Sequence, residues 1–86
     1  GPKEIQTAVK NVLNSNDKMS HILQAKHKLP TDINKVGKLM KKTLSKGQIS
    51  TYKAGPAKIA TWFKAKSQIT FRIMEGIIKI SDFWIF

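Results

Sequence analysis

The chain has 86 residues and carries 16 Lys and Arg against 5 Asp and Glu, a formal balance of +11. Single domains run to roughly 100–150 residues, so this length holds one domain and excludes a wide cleft between two lobes. The absence of cysteine excludes disulfides, thiolate zinc sites and a cysteine nucleophile.

Hydrophobic residues at 41%, with two Trp, four Phe and one Tyr among the aromatics, suffice for a packed core. The opening Gly1-Pro2 has the look of a protease-processing scar, which makes residues 3–86 the single domain, 3–47 helical and 48–86 mainly strands. From Lys3 to Leu13, Ile5, Ala8, Val9, Val12 and Leu13 recur at helical spacing and form one apolar stripe. Asn14-Ser15-Asn16-Asp17 interrupts it. A second helix is expected from about Asp17 through Lys26, capped by Asp17 or Asn16, with Met19, Ile22 and Leu23 inward and Leu29-Pro30 beyond its end. Thr31 or Asp32 caps a third, carrying Ile33, Val36, Met40 and Leu44, with Lys35, Lys38, Lys41, Lys42 and Lys46 elsewhere around it and Gly47 as its stop. Gly37 is the one residue inside it that opposes a helix.

After Gly47 the period changes from helical to alternating, and Ile49–Lys53, Lys58–Lys64, Gln68–Met74 and Ile77–Phe86 read as strands. The fold class is therefore α+β, N-terminal helices packed on a C-terminal twisted antiparallel sheet of about four strands. In Gln68–Met74, Ile69, Phe71 and Ile73 face one way and Gln68, Thr70, Arg72 and Met74 the other. A two-residue turn at Glu75-Gly76 pairs Ile73 with Ile78 and Phe71 with Ile80 on the core face, and Arg72 with Lys79 and Thr70 with Ser81 on the other. Like charges face each other unfavourably unless an anion lies between them, so Arg72 beside Lys79 suggests a phosphate site. Two splayed, solvated side chains are the competing reading. Gly55-Pro56 marks a turn. The apolar-leaning end, Ile77 to Phe86, is far shorter than the roughly 20 residues of a membrane span, and no stretch reads as a signal peptide.

Fifteen of the sixteen cations are Lys and one is Arg72. Such a field attracts a polyanion and favours backbone contact over base reading. Both histidines fall in one stretch, His21 to Lys28. They are not at the i,i+4 spacing that aligns two metal ligands on a helix, and no motif supplies a third ligand, so no metal is expected. Asp17, Asp32 and Glu75 sit where caps and turns need acids, which leaves no carboxylate pair for chemistry. His27 between Lys26 and Lys28 fits phosphodiester cleavage, in which an imidazole moves a proton and cations stabilise the phosphorane. RNA supplies its own nucleophile, the 2′-hydroxyl, and His27, His21, Lys26, Lys28, Thr70, Arg72 and Ser81 supply the rest. The competing reading is an exposed His27 at a helix end and a half-buried His21. Trp84, Phe83, Trp62 and Tyr52 are candidates for base stacking, with Trp62 and Phe71 read as core.

The stretch His21–His27, the Lys-rich helix ending at Lys46-Gly47 and the terminal Ile80-Ser81-Asp82-Phe83-Trp84-Ile85 resemble the C-terminal nuclease domains of bacterial polymorphic toxins, contact-dependent growth-inhibition effectors included. Ala25-Lys26-His27-Lys28 and Ser81-Asp82-Phe83-Trp84 also resemble the Lys-x-Lys-His and Ser-x-Trp pattern of the colicin D tRNase, with lysines here on both sides of His27. The resemblance implies the fold of the superfamily that includes barnase, colicin D and RelE nucleases. It further implies metal-independent cleavage of RNA, tRNA first, without a cofactor and leaving a 2′,3′-cyclic phosphate. His27, His21, Lys26, Thr70 and Ser81 would then be catalytic, and Lys28, Arg72, Lys46, Lys79 and Trp84 would bind RNA or its phosphates. An acidic cognate immunity protein is the implied partner, with elongation factor Tu as a further candidate, and the site of action is the cytoplasm of a target bacterium after export within a larger effector. Two other classes compete. One is a non-enzymatic nucleic-acid-binding module that uses the third helix; the other is a membrane-active cationic peptide.

Overall fold

In a computed structural model of the chain, which describes residues 1–53 and 55–86, three helices are followed by a four-stranded antiparallel sheet. Helix α1 spans Pro2–Leu13, α2 Asn16–Ile22 and α3 Ile33–Lys46; a short 3-10 turn, Ala25–His27, lies between α2 and α3. Strands β1 (Gln48–Thr51), β2 (Lys58–Trp62), β3 (Ser67–Met74) and β4 (Ile77–Ile85) form a meander in the order β1-β2-β3-β4. The α+β class is as expected, and no helix is long and apolar enough to cross a membrane among the described residues.

Each helix begins and ends for a local reason. Gly1 is the N-cap of α1 and Pro2 opens it, where the missing N–H costs nothing, so the two residues set aside in the sequence belong to the first turn. Ser15 caps α2 through a 3.3 Å bond to the Lys18 N–H, the role assigned to Asp17 or Asn16. Asp32 caps α3 by accepting from the Asn34 N–H at 2.9 Å. Gly47 ends α3, and a Cβ there would collide with the Thr43 carbonyl and crowd Ala60, so the tight corner from helix to sheet requires glycine. Gly37 is buried where α3 meets α1, and a Cβ there would lie 2.9 Å from Leu13 Cδ1, so the Leu13 side chain would have to turn aside.

The core lies between the helices and one face of the sheet. Val9, Ile22, Val36, Met40, Ile69 and Phe83 are fully or almost fully buried within it. Phe71 is core as expected, whereas Trp62 is only half-buried, beside Lys35, Lys38 and Lys42 of α3. Thr43 of α3 and Ser67 of β3 are buried polar residues joined hydroxyl to hydroxyl at 2.7 Å, and Thr43 Oγ1 also donates to the Leu39 carbonyl. That pairing removes the desolvation penalty of each.

The β3–β4 hairpin has the expected turn. Glu75 and Gly76 both have positive φ, 53° and 77°, as a type I′ turn demands, and Met74, Ile73, Arg72 and Phe71 pair with Ile77, Ile78, Lys79 and Ile80, but Ile73, expected in the core, is 54% exposed at the hairpin end. Beyond Ile80 the register departs from expectation. Thr70 stands opposite Asp82, not Ser81, because the ladder shifts by one between Thr70 and Phe71 and leaves Ser81 as an unpaired, exposed extra residue. Side chains alternate along a strand, so Ile80 and Phe83, three residues apart, cannot share a face without such a bulge. With it, Phe83 joins the core opposite Ile69, while Asp82 and Trp84 take the other face opposite Thr70 and Gln68.

Phe83→Ala should therefore lower stability by about 3–5 kcal/mol, a large part of what a domain of this size possesses. A fall in the urea midpoint with an unchanged slope is the expected result. Phe63→Ala, at a 62% exposed position, is the matching control and should shift it little.

Candidate active site

Both histidines and the last strand meet where α2 ends. The second helix was expected to run to Lys26; instead it stops at Ile22, and Gln24 adopts an extended conformation (φ −57°, ψ 143°) before the 3-10 turn Ala25–His27. The break has a physical cause in His27. Its Nδ1–H donates to the Ile22 carbonyl at 2.8 Å, one of the orphan acceptors at a helix end. An uninterrupted helix would put residues 21 and 27 on different faces, whereas the break brings the two imidazole centroids to 5.3 Å, edge to face. Lys28 then takes a left-handed conformation (φ 58°) that ends the turn.

The burial of the pair is the reverse of the competing reading. His27 is 6% exposed, while the His21 side chain is 49% exposed. Asp82 joins them from β4. His21 Nε2 lies 3.1 Å from Asp82 Oδ2, and His27 Nδ1 lies 3.7 Å from Asp82 Oδ1. Gln24 Nε2 donates to His21 Nδ1 at 3.0 Å, which leaves the His21 Nε2–H to donate to the carboxylate. The Phe83 N–H donates to Asp82 Oδ1 at 2.8 Å and fixes the carboxylate from the strand side. His27, with Nδ1–H committed to the Ile22 carbonyl, keeps a lone pair on Nε2 in its neutral form.

Trp84 extends the site along the sheet. Its ring centroid lies 6.4 Å from that of His27, and its Nε1–H donates to Gln68 Oε1 at 2.9 Å. Gln68 in turn donates through Nε2 to Thr61 Oγ1 at 3.1 Å, so a hydrogen-bonded chain across β4, β3 and β2 holds the half-buried indole. Thr70 is buried between Ile59 and Asp82 on the same face.

The other candidates are distributed around this centre. Lys26 and Lys28 are exposed on either side of His27, and Arg72 and Lys79 are exposed opposite each other two positions along β3 from Thr70. Ser81 is the bulged residue and has no ladder partner. Lys46 ends α3, the helix that packs against β2 and β3 through Thr43 and Ser67, on the face away from Asp82 and Trp84. Sequence reasoning missed Asp82, Gln24 and Gln68 as site residues. A signal for Asp82 was present: strict alternation from Ile80 would put an aspartate and a tryptophan inward and Phe83 outward, and one bulge reverses all three.

Gln68→Ala should release Trp84 from its anchor at a cost of about 1 kcal/mol. In a Trp62→Phe background, acrylamide should quench the remaining indole more readily than in the parent; equal quenching would mean that packing alone orients Trp84. In comparisons with known proteins, no family model, no curated protein and no solved structure matches the chain.

Proposed function

We propose that the chain is an endoribonuclease toxin domain that cleaves RNA, tRNA foremost, without a metal, by attack of the 2′-hydroxyl on the adjacent phosphate. The observation that carries this reading is the meeting of His21, His27 and Asp82 beside Trp84, on a chain with a balance of +11. His27 Nε2 takes the proton of the 2′-hydroxyl, and the imidazole is held for this by the Ile22 carbonyl. His21 as the imidazolium, its Nε2–H held by Asp82, gives its Nδ1 proton to the departing 5′-oxygen, which takes the place of Gln24 at that nitrogen, and returns to the neutral ring. The P–O5′ bond breaks as the O2′–P bond forms, leaving a 2′,3′-cyclic phosphate and a free 5′-hydroxyl.

The flanking cations serve the charged phosphorane. Lys26 and Lys28 stand next to His27 in the chain, and an RNA backbone crossing the sheet face would meet Arg72 and Lys79, whose mutual repulsion a phosphate relieves. Thr70 and Ser81 are the hydroxyl donors nearest in register to Asp82, and Trp84 offers a ring face to a base. Lys46, on the helical layer, contributes to the long-range field. An acidic immunity protein covering this surface would neutralise both charge and site. Delivery within a larger exported effector, action in the cytoplasm of a target bacterium and a role for elongation factor Tu complete the reading. A second reading draws on α3, where Lys35, Lys38 and Lys42 surround Trp62 and would suit a non-enzymatic RNA-binding surface.

Incubation with total bacterial tRNA in EDTA should give discrete fragments with cyclic-phosphate ends. His27→Ala and the exposed His21→Ala should each lower the cleavage rate by about a hundredfold or more. Intact tRNA both in buffer and in cell extract, with salt-sensitive binding indifferent to His27→Ala, would instead establish the binding module.

A further inference from the structure

The spacing of the two histidines along the chain argues against a metal, yet the fold supplies what the spacing lacks. One nitrogen from each of His21 and His27 and one oxygen of Asp82 lie within 4.8 Å of one another. His21 Nε2 and Asp82 Oδ2 are 3.1 Å apart, close to the roughly 3.3 Å between two ligands of a tetrahedral zinc with bonds of about 2.0–2.1 Å. A cation there would replace the proton those two groups share.

The supporting bonds point the same way. Metal-ligating imidazoles and carboxylates are held by hydrogen bonds to their far atoms, which set the tautomer and the ring angle. Here the Phe83 N–H holds Asp82 Oδ1 and leaves Oδ2 to ligate, and Gln24 lies 3.0 Å from His21 Nδ1, where its amide, turned to present Oε1, accepts the Nδ1–H that ligation through Nε2 requires. The His27 nitrogen that faces the carboxylate is Nδ1, 3.7 Å from Asp82 Oδ1, so ligation there exchanges its bond to the Ile22 carbonyl for the cation. The His21 side chain is 49% exposed and that of Asp82 27%, so solvent reaches the cluster and can fill a fourth position. Two imidazoles with one carboxylate favour zinc-class ions over magnesium or calcium, which prefer all-oxygen sites.

We infer that His21, His27 and Asp82 form a binding site for a zinc-class divalent cation. The surrounding positive charge weakens the site. Occupancy takes up the imidazole lone pairs that move protons, so the loaded chain does not cleave RNA; this consequence rests on the nuclease reading, while the binding itself does not.

Titration of the metal-free chain with zinc sulfate against a chromogenic zinc chelator tests the site directly. One equivalent should bind, His21→Ala and Asp82→Asn should each weaken binding at least about tenfold, and zinc at a hundredfold excess over Kd should raise the wild-type Tm by roughly 10–20 °C. His21 is exposed, so His21→Ala should keep the wild-type circular dichroism spectrum and separate loss of a ligand from loss of the fold. Failure to compete with the chelator, or equal zinc binding by wild type and both variants, would overturn the site. Added zinc should also silence tRNA cleavage seen in EDTA. Absence of cleavage in EDTA, or cleavage that only zinc restores, would sink the metal-free nuclease reading while the titration still decides the site.

Discussion

The extra residue in β4 governs which side chains of the last strand meet the helices and which meet the histidines. Ile80 and Phe83 both belong to the core, and an odd spacing between two inward residues is impossible in a regular strand. Ser81 absorbs the mismatch by leaving the ladder. The burial of Phe83 thus carries Asp82 to the opposite face, where the same residue lends its N–H to the carboxylate. Core packing and site geometry are two results of one bulge, so changes at Phe83 cannot leave Asp82 untouched.

A second constraint comes from the end of α2. A helix must satisfy its last carbonyls, and here the ring of His27 does so for Ile22 by folding back over five residues. The bond costs His27 its solvent exposure and ends the helix early. In return it sets the orientation of the imidazole, brings it edge to face with His21 and leaves its second nitrogen uncommitted. The site is accordingly built from backbone requirements, a helix end on one side and a strand irregularity on the other. Such construction suits a small domain, since it asks little extra volume of a core that is already limited by chain length.

Charge separates the site from the rest of the surface. Asp82 is the only one of the five acids found among the histidines; Asp32 caps α3 and Glu75 forms the hairpin turn. In a field dominated by lysine, one carboxylate is enough to hold an imidazole by a directed bond, and it leaves the wider surface positive for a polyanion. Trp84, anchored through Gln68 to Thr61, adds a rigid apolar plate beside that charge.

Much of this was legible in the chain. The apolar stripes of α1 and α3, the asparagine- and serine-rich break between α1 and α2, the Asp32 cap, the Gly47 stop and the Glu75-Gly76 turn are local features. Each is decided by neighbours within a few residues, and so is the pairing of Ile73 with Ile78, which follows from turn length. The half-exposed Trp62, the early end of α2, the bulge at Ser81 and the meeting of residues 21, 27 and 82 are different in kind. The early end of α2 is a short-range event that periodicity does not show, since His27 takes a carbonyl five residues back that a continuous helix would have used; the others arise where the packing of distant segments overrides local preference, as where Phe83 takes a core position that strict alternation denies it. The sequence by itself determined the elements, the charge and the α+β class, because these follow from short-range periodicity and composition. Only the tertiary structure decided that His21, His27 and Asp82 share one site, because contacts across about sixty residues of chain depend on which of several locally acceptable registers buries the most apolar surface.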